Sequence, residues 1–165
     1  ELSQSAIKTN TQITPVEKKI TQQSEISVFN TLLELSMALT STECGSIMLY
    51  DKKTKKLNME AYKGLDSQQL NGLSINLGEG IAGLAAQKKR TFVLNSQNPD
   101  NRISHLLKKP EIKCSIVLPI VGNRKEILGV LSVSTRQEDS RLFLHSKDLI
   151  KSLSGITSNT VEQLQ

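Results

Sequence analysis

Residues able to carry covalent or metal chemistry are few in this chain of 165 residues. It has two cysteines, Cys44 and Cys114, and two histidines, His105 and His145. Zinc and haem sites usually need more ligands than two histidines that lie far apart in sequence. No Ser-His-Asp order, carboxylate pair or metal-ligand spacing stands out. We therefore expect no catalytic residue and no metal site, and the sequence does not identify a cofactor.

A glycine-rich bend is the most distinctive local motif, because Gly78, Gly80 and Gly83 lead into an alanine-rich helix. Backbone N–H groups at the start of a helix can bind an anion. The bend lacks the lysine of a P-loop and the full GxGxxG spacing. A tight turn and close packing are an equally good reason for its glycines, so both interpretations stay open.

Apolar periodicity predicts the elements that must position these residues. A wide apolar stripe predicts a helix over residues 24–41, and a second stripe predicts a last helix that begins at the N-cap residue Ser146. Shorter elements are predicted between them. The strands are 46–50, 57–62, 73–77, 91–94, 115–121 and 127–134, and the short helices are 66–72, 78–87 and 103–107.

This order predicts an α+β fold with a central antiparallel sheet of about six strands. The two terminal helices are expected on one face, and short helices and loops are expected over a pocket on the other face. Residues 1–23 are polar and contain Pro15, so we expect a linker or partly helical connector with helical turns after Pro15. Residues 24–165 are expected to form one domain.

Composition bears on partners and on the cellular compartment. The net charge of +5 is spread out, and its densest clusters fall at a predicted hairpin tip and a predicted helix end. Aromatic residues make up only 3% of the chain, which does not favour nucleic-acid stacking. We expect neither nucleic-acid nor membrane contact by this segment. Two cysteines outside a disulfide framework and the lack of a signal peptide favour the cytoplasm, and the missing initiator Met suggests a piece of a longer chain.

Four motifs in register resemble the GAF domain family of bacterial signalling proteins and cyclic-nucleotide phosphodiesterases. They cover 45–51 (GSIMLYD), 78–83 (GEGIAG), 115–120 (SIVLPI) and 127–131 (ILGVL), and the likeness extends over about 24–164. The resemblance implies a GAF-like, profilin-like sheet, a homodimer through the terminal helices and a ligand pocket on the opposite face. It also implies an output domain in the full chain, such as a kinase, a cyclase or a transcription activator.

The resemblance also carries a set of ligand-binding residues. They are Ser46, Met48, Tyr62, Ile81, Ala82, Leu94, Asn95, Arg102, Ser104 and Val117. Cyclic GMP is not favoured, because Lys63 stands where the family often has an acidic residue and Ile112 where it has a threonine. A bilin is not favoured either, because His105 follows Ser104 instead of a cysteine. The polar segment from Asn95 to Ser104 either contacts a ligand or only shapes a surface loop.

Three functions remain as hypotheses. The first is a non-catalytic domain that binds a small molecule of unknown identity and passes the ligand state to an output domain through the terminal helices. In the second, a ligand-free dimerisation domain, side chains such as Met48, Tyr62, Leu94 and Val117 would fill the pocket. The third is a free-methionine-sulfoxide reductase, which needs two thiols that meet. Cys44 and Cys114 could be neighbours in the sheet, but the family's cysteine motif is missing, and we expect both to be structural.

Overall fold

The computed structural model describes residues 15–95, 111–138 and 146–164. The predicted α+β fold is confirmed, and the helices and strands follow one another along the chain in nearly the expected order. The helices are α1 (Pro15–Thr40), α2 (Ser67–Leu70), α3 (Gly80–Lys88) and α4 (Ser146–Leu164). The strands are β1 (Cys44–Asp51), β2 (Lys56–Lys63), β3 (Ser74–Asn76), β4 (Phe92–Asn95), β5 (Cys114–Val121) and β6 (Ile127–Thr135). The predicted helix 103–107 lies outside the described residues.

The strands form one antiparallel sheet in the order β3-β2-β1-β6-β5-β4. The hairpins β1–β2 and β5–β6 supply four of them, and β1 pairs with β6 to join the two hairpins. The four inner strands are therefore β2, β1, β6 and β5. The last three of these carry most of the buried residues on both faces of the sheet.

Helix α1 begins at Pro15, well before the predicted start at residue 24. Proline suits the first position of a helix because the missing N–H has no intrahelical partner there. Residues 16–23 lack apolar periodicity, which was the signal used, but they contain glutamate, lysine and glutamine with good intrinsic helix propensity. The helical turns expected after Pro15 are thus continuous with the helix that packs on the sheet.

The two long helices cover the same face of the sheet, as predicted. Phe29, Leu33 and Met37 of α1 and Leu153 and Val161 of α4 are buried in one apolar cluster. Residues of the four inner strands complete this cluster. They are Ile47, Ala61, Ile116, Leu118, Ile120, Leu128, Leu131 and Val133. Burial of this continuous apolar surface is the main force that holds the helices on the sheet.

Helix α3 packs on the opposite face through two of its three alanines. Ala85 and Ala86 are almost fully buried in a second apolar cluster, together with Met48 and Val117. Small residues let the helix backbone approach the sheet. The first half of the same helix also lies close to β3, at Gly83. A Cβ atom on Gly83 would lie 2.4 Å from the carbonyl oxygen of Asn76. Close packing is therefore a demonstrated reason for the last glycine of the bend.

The lysine-rich turn lies at the tip of the β1–β2 hairpin, as predicted, and its residues 52–55 are exposed. Asp51 closes the turn, since its carboxylate accepts hydrogen bonds from the Lys53 N–H at 2.7 Å and the Thr54 hydroxyl at 2.9 Å. The bond from Lys53, followed by that from Thr54, lowers the pKa of Asp51. Among the described residues, no helix has both the length and the apolar character that a transmembrane span requires.

Candidate functional site

A cavity of about 460 Å³ lies between the sheet and the start of α3. This volume falls in the range of sites that take small organic molecules. Residues of β1, β6, β5 and the edge strand β4 line it from the sheet, and residues of β2, β3 and α2 line one side. The described lining residues are Gly45, Ser46, Met48, Met59, Leu65, Leu70, Leu73, Ile75, Glu79, Gly80, Ile81, Ala82, Leu94, Ile112, Ser115, Val117, Ser132 and Ser134.

The sheet contributes four serines to this lining, and its register brings them together. Ser46 on β1 is the cross-strand partner of Ser132 on β6, and Ser134 on β6 is the partner of Ser115 on β5. Side chains of cross-strand partners have Cβ atoms about 5 Å apart. The four hydroxyls thus form one polar patch across three adjacent strands, which we call the serine floor.

The rest of the described lining is mostly apolar, and Glu79 is its one ionisable residue. Glu79 precedes α3 and does not cap it through its side chain. Its Oε2 atom instead accepts hydrogen bonds from the backbone N–H and the side-chain Nδ2 of Asn76, both at 3.0 Å. The carboxylate is therefore held against the β3–α3 turn, on the exposed side of the cavity.

The glycine-rich bend gives the cavity its upper edge. Gly78 and Gly80 have φ angles of +87° and +60°, a conformation that favours glycine, and Gly80, Ile81 and Ala82 line the cavity. The sequence left open whether these glycines bind an anion or only shape the bend. The positive φ angles and the close approach at Gly83 account for all three glycines without a ligand.

Six of the ten predicted ligand-binding residues line the cavity. They are Ser46, Met48, Ile81, Ala82, Leu94 and Val117. Tyr62 is the cross-strand partner of Ser46 but is not among the described lining residues, whereas Met59 and Leu65 are. Asn95 ends β4 next to the cavity without lining it. Arg102 and Ser104 lie outside the described residues.

The sequence missed the serine floor apart from Ser46, and it missed the apolar side formed by α2 and β3. Alternation along the strands was a usable signal for the floor. Ser132 and Ser134 alternate with Leu131 and Val133, so the serines had to face away from the terminal helices. Alternation does not predict the pairing of β5 with β6 that places Ser134 beside Ser115.

Lys63 and Ile112, the two residues for which the resemblance did not favour cyclic GMP, have different surroundings in the structure. Lys63 is paired with Gly45, whose α-carbon faces Leu33 and Met37 of α1. Its Nζ atom donates to Glu34 Oε1 at 2.6 Å, so the charge is directed to the helix face. Ile112 does line the cavity, where it is 9% exposed and adds apolar surface.

The expectation that Cys44 and Cys114 could be neighbours in the sheet is wrong. Strand β6 lies between β1 and β5, and the two cysteines are partners of Ser134 and Thr135 on β6. Two strand spacings separate their backbones by roughly 10 Å, whereas a disulfide needs Cα atoms within about 7 Å. Alternation along each strand also places the two side chains on opposite faces.

Both cysteines are buried, and neither forms a disulfide. Cys44 Sγ donates to the carbonyl oxygen of Gly64 at 3.2 Å. The same carbonyl accepts from Arg136 Nη2 at 2.9 Å, and the Arg136 N–H donates to Glu43 Oε1 at 2.5 Å. Burial acts to raise the pKa of Glu43, but hydrogen bonds from Arg136 and Thr135 outweigh it and lower the pKa. Cys44 is thus part of a structural corner beside the serine floor.

The described residues contain no group of three or more His, Cys, Asp or Glu side chains placed to hold a metal ion. These residues instead form a partly enclosed, mostly apolar cavity with one polar side, the serine floor. Such a site can bind a small molecule by burying its apolar part and hydrogen bonding its polar part.

A family model and solved structures of other proteins point to the same fold. The family model for the GAF domain matches residues 22–162. No curated protein matches the sequence. Solved structures match over most of their length, at identities that support a likeness of fold.

Three of these structures show which kinds of protein share the fold. The GAF domain region of a Geobacter sulfurreducens PCA protein has a TM-score of 0.71 and 22% identity, with 88% of this chain and 98% of that chain covered. The type II free methionine-R-sulfoxide reductase of Thermoplasma acidophilum has a TM-score of 0.68 and 16% identity, with 87% and 96% covered. A GAF domain/HD domain protein from Geobacter sulfurreducens has a TM-score of 0.61 and 16% identity, with 87% and 95% covered.

Proposed function

Because this chain belongs to the GAF domain family, we propose that it is a non-catalytic sensor domain of a bacterial signal-transduction protein that binds a small molecule in the cavity. GAF domains occur in signalling proteins, and the structural neighbours include a methyl-accepting chemotaxis protein and a GAF domain/HD domain protein. The observation that carries the proposal is the cavity of about 460 Å³ on the sheet face opposite α1 and α4.

The cavity also weighs against a ligand-free domain. In that alternative, side chains such as Met48, Leu94 and Val117 would fill the space between sheet and α3. They are buried at its base and line it, yet the volume above them stays open. Apolar cavities left empty lower the stability of a fold, so an open volume of this size is easier to explain in a binding domain.

The route from cavity to output runs through the sheet. Along β6, Ser132 lines the cavity while Leu131 and Val133 pack in the cluster that holds α1 and α4. Along β5, Val117 has the same relation to Ile116 and Leu118. A ligand that binds two arrangements of these strands with different affinity would shift the packing of the helices by that difference.

A thermal-shift screen of metabolites and cyclic nucleotides tests the binding function. A ligand at a hundred times its Kd stabilises by about 2.7 kcal/mol, which raises the Tm of a domain of this size by roughly 5–10 °C. We expect at least one compound to do so. In the variant Ala82→Phe, the ring would occupy the cavity and the shift should disappear.

The matched control for that variant is Lys88→Phe, which places the same ring at the exposed end of the same helix. Its ligand response should equal that of the unmodified protein. A flat response across the screen would contradict the binding function and favour the ligand-free alternative. A shift that survives in Ala82→Phe would place the ligand elsewhere.

We further propose a cytoplasmic homodimer formed through the terminal helices, with an output domain in the full chain. The support for the dimer is an apolar stripe on α1, where Val28, Leu35 and Leu39 are 36%, 45% and 45% exposed. These residues lie on one side of the helix, along the edge of the face that packs on the sheet. An exposed row of apolar side chains on a helix is typical of an interface.

The reductases among the structural neighbours make a thiol enzyme the alternative to test. The chain has two cysteines, and the sheet holds them apart on opposite faces. We expect no reduction of free methionine-R-sulfoxide above the uncatalysed rate in the presence of dithiothreitol. The double variant Cys44→Ala/Cys114→Ala should give the same rate, and alanine leaves no unpaired hydroxyl in the buried sites. Activity in the unmodified protein that is lost in the variant would establish the enzyme.

A further inference from the structure

The serine floor has unused hydrogen-bonding capacity. Within the described ranges, the hydroxyls of Ser46, Ser132 and Ser134 have no protein partner, and the Ser115 hydroxyl has a long bond of 3.3 Å to the carbonyl oxygen of Val133. Ser115 and Ser134 are only 7% and 8% exposed. Among the described residues, only Glu126 Oε2 is a fully buried side-chain N or O atom without a partner, so the oxygens of the serine floor are reachable from the cavity. Each hydroxyl can donate one hydrogen bond and accept others, so the patch can bind a polar group of a ligand.

The charges of the lining residues limit which chemical group can bind to the serine floor. The described lining contains no lysine, arginine or histidine, and its one carboxylate, Glu79, is already held by Asn76. Burying an anion without a counter-charge is costly, and Glu79 beside the start of α3 adds repulsion where a helix N-terminus would otherwise attract an anion. A buried cation would meet only neutral hydroxyls on the floor.

The opposite side of the cavity is suited to an apolar body. Met48, Met59, Leu73, Ile75 and Ile81 are among the aliphatic residues that line it, and no aromatic ring of the described residues does so. Methionine and leucine side chains adapt to flexible apolar groups. The site therefore has one polar end that can both donate and accept, and one aliphatic end.

We propose that the ligand is an uncharged amphipathic molecule whose hydroxyl- or carbonyl-bearing end contacts the serine floor and whose aliphatic part contacts α2, β3 and α3. This inference rests on the proposed ligand-binding function and defines the chemical class of its ligand. Ser132 and Ser134 are central to it, because they project from the middle of the three strands and are flanked by Ser46 and Ser115.

Three probes with the same ten-carbon body separate the possibilities. They are 1-decanoylglycerol, which is uncharged, decanoate, which is an anion, and decylamine, which is a cation at pH 7. Each is titrated below its critical micelle concentration, with binding followed by the chemical shifts of the methionine and leucine methyl groups. We expect 1-decanoylglycerol to bind at least about ten-fold more tightly than either charged probe, because only its end can be buried without an unpaired charge.

The double variant Ser132→Ala/Ser134→Ala tests the floor itself. Loss of two hydrogen bonds to a neutral group should weaken 1-decanoylglycerol by about ten- to a hundred-fold. The charged probes should be little affected. Ser152→Ala on α4 removes an exposed serine far from the cavity and serves as the matched control. Equal affinity in the floor variant and this control would overturn the proposal.

The other outcomes are also decisive. Tighter binding of decanoate or decylamine, abolished by Ala82→Phe, would overturn the ligand class while leaving the cavity as a binding site. Failure of all three probes would overturn the class as well. The binding function itself would then be judged by the metabolite screen, so the two proposals can fail separately.

Discussion

Replacing Gly83 by alanine is expected to lower the free energy of unfolding by about 2 kcal/mol, which corresponds to a fall in Tm of roughly 4–8 °C. The added Cβ would lie 2.4 Å from the carbonyl oxygen of Asn76 and 3.1 Å from the backbone nitrogen of Gly78. These are backbone atoms that a rotamer change cannot move. The gain in helix propensity, about 1 kcal/mol, is too small to offset the overpacking.

The same substitution should also affect the cavity. Gly80, Ile81 and Ala82 line it from the turn of α3 that would have to move away from β3. Ligand affinity is therefore expected to fall together with stability. Chemical denaturation and the ligand response of Tm measure the two effects on the same variant.

Gly155→Ala is the matched control for Gly83→Ala. Gly155 is also in a helix interior, but it is exposed and nothing lies within 4 Å of the position of an added Cβ. Alanine there should raise the free energy of unfolding by up to about 1 kcal/mol. If both variants were stabilised, the close approach between α3 and the β3–α3 turn would not exist as described.

The fold was predictable from sequence because its signals are local. The runs Ser46–Tyr50 and Leu57–Tyr62, separated by a lysine-rich turn, have the composition of a hairpin, and the structure contains β1 and β2 at those places. The start of α1 was predicted too late for the same reason. Its first turns have helix-forming residues but no apolar repeat, so periodicity could not detect them.

The site was predictable only in part, since it depends on pairings between distant segments. Ile81 and Ala82 follow the glycine-rich bend, a motif that can be recognised locally, and both line the cavity. Ser115 and Ser134 become neighbours only through the register of β5 with β6. Neither residue has a local feature that distinguishes it from other strand serines, so the patch could not be seen before the sheet was assembled.

The same dependence on strand order explains the wrong expectation for the cysteines. Cys44 precedes the first predicted strand and Cys114 stands at the start of a later one, so the sequence allowed them to be neighbours in the sheet. Placing β6 between β1 and β5 separates them. Tyr62 shows a smaller effect of the same kind. It is opposite Ser46, but the irregular pairing near Ile47 and Met48 and the nearby Leu65 change which residues of this region line the cavity.

The exposed stripe of α1 has the spacing of a helix–helix seam. Val28, Leu32, Leu35 and Leu39 follow one another at intervals of four, three and four residues. At 3.6 residues per turn, the three exposed members fall within an arc of about 40°, while Leu32 is buried on the side of the sheet. A second copy of α1 packed along this row would bury the apolar surface that the sheet leaves uncovered.

The double variant Leu35→Lys/Leu39→Lys is therefore expected to raise the Kd of the proposed homodimer by about a thousand-fold. Four half-exposed leucines per dimer each lose about 1 kcal/mol of burial, and like charges meet across the two-fold axis. Sedimentation velocity over a concentration series measures the change. Ser27→Lys/Asn30→Lys places the same charges on another exposed side of α1 and should leave the dimer intact. A monomer in the unmodified protein at high concentration would rule out this interface. A dimer that tolerates lysines in the stripe would also rule it out, because a pairing along this stripe cannot avoid residues 35 and 39.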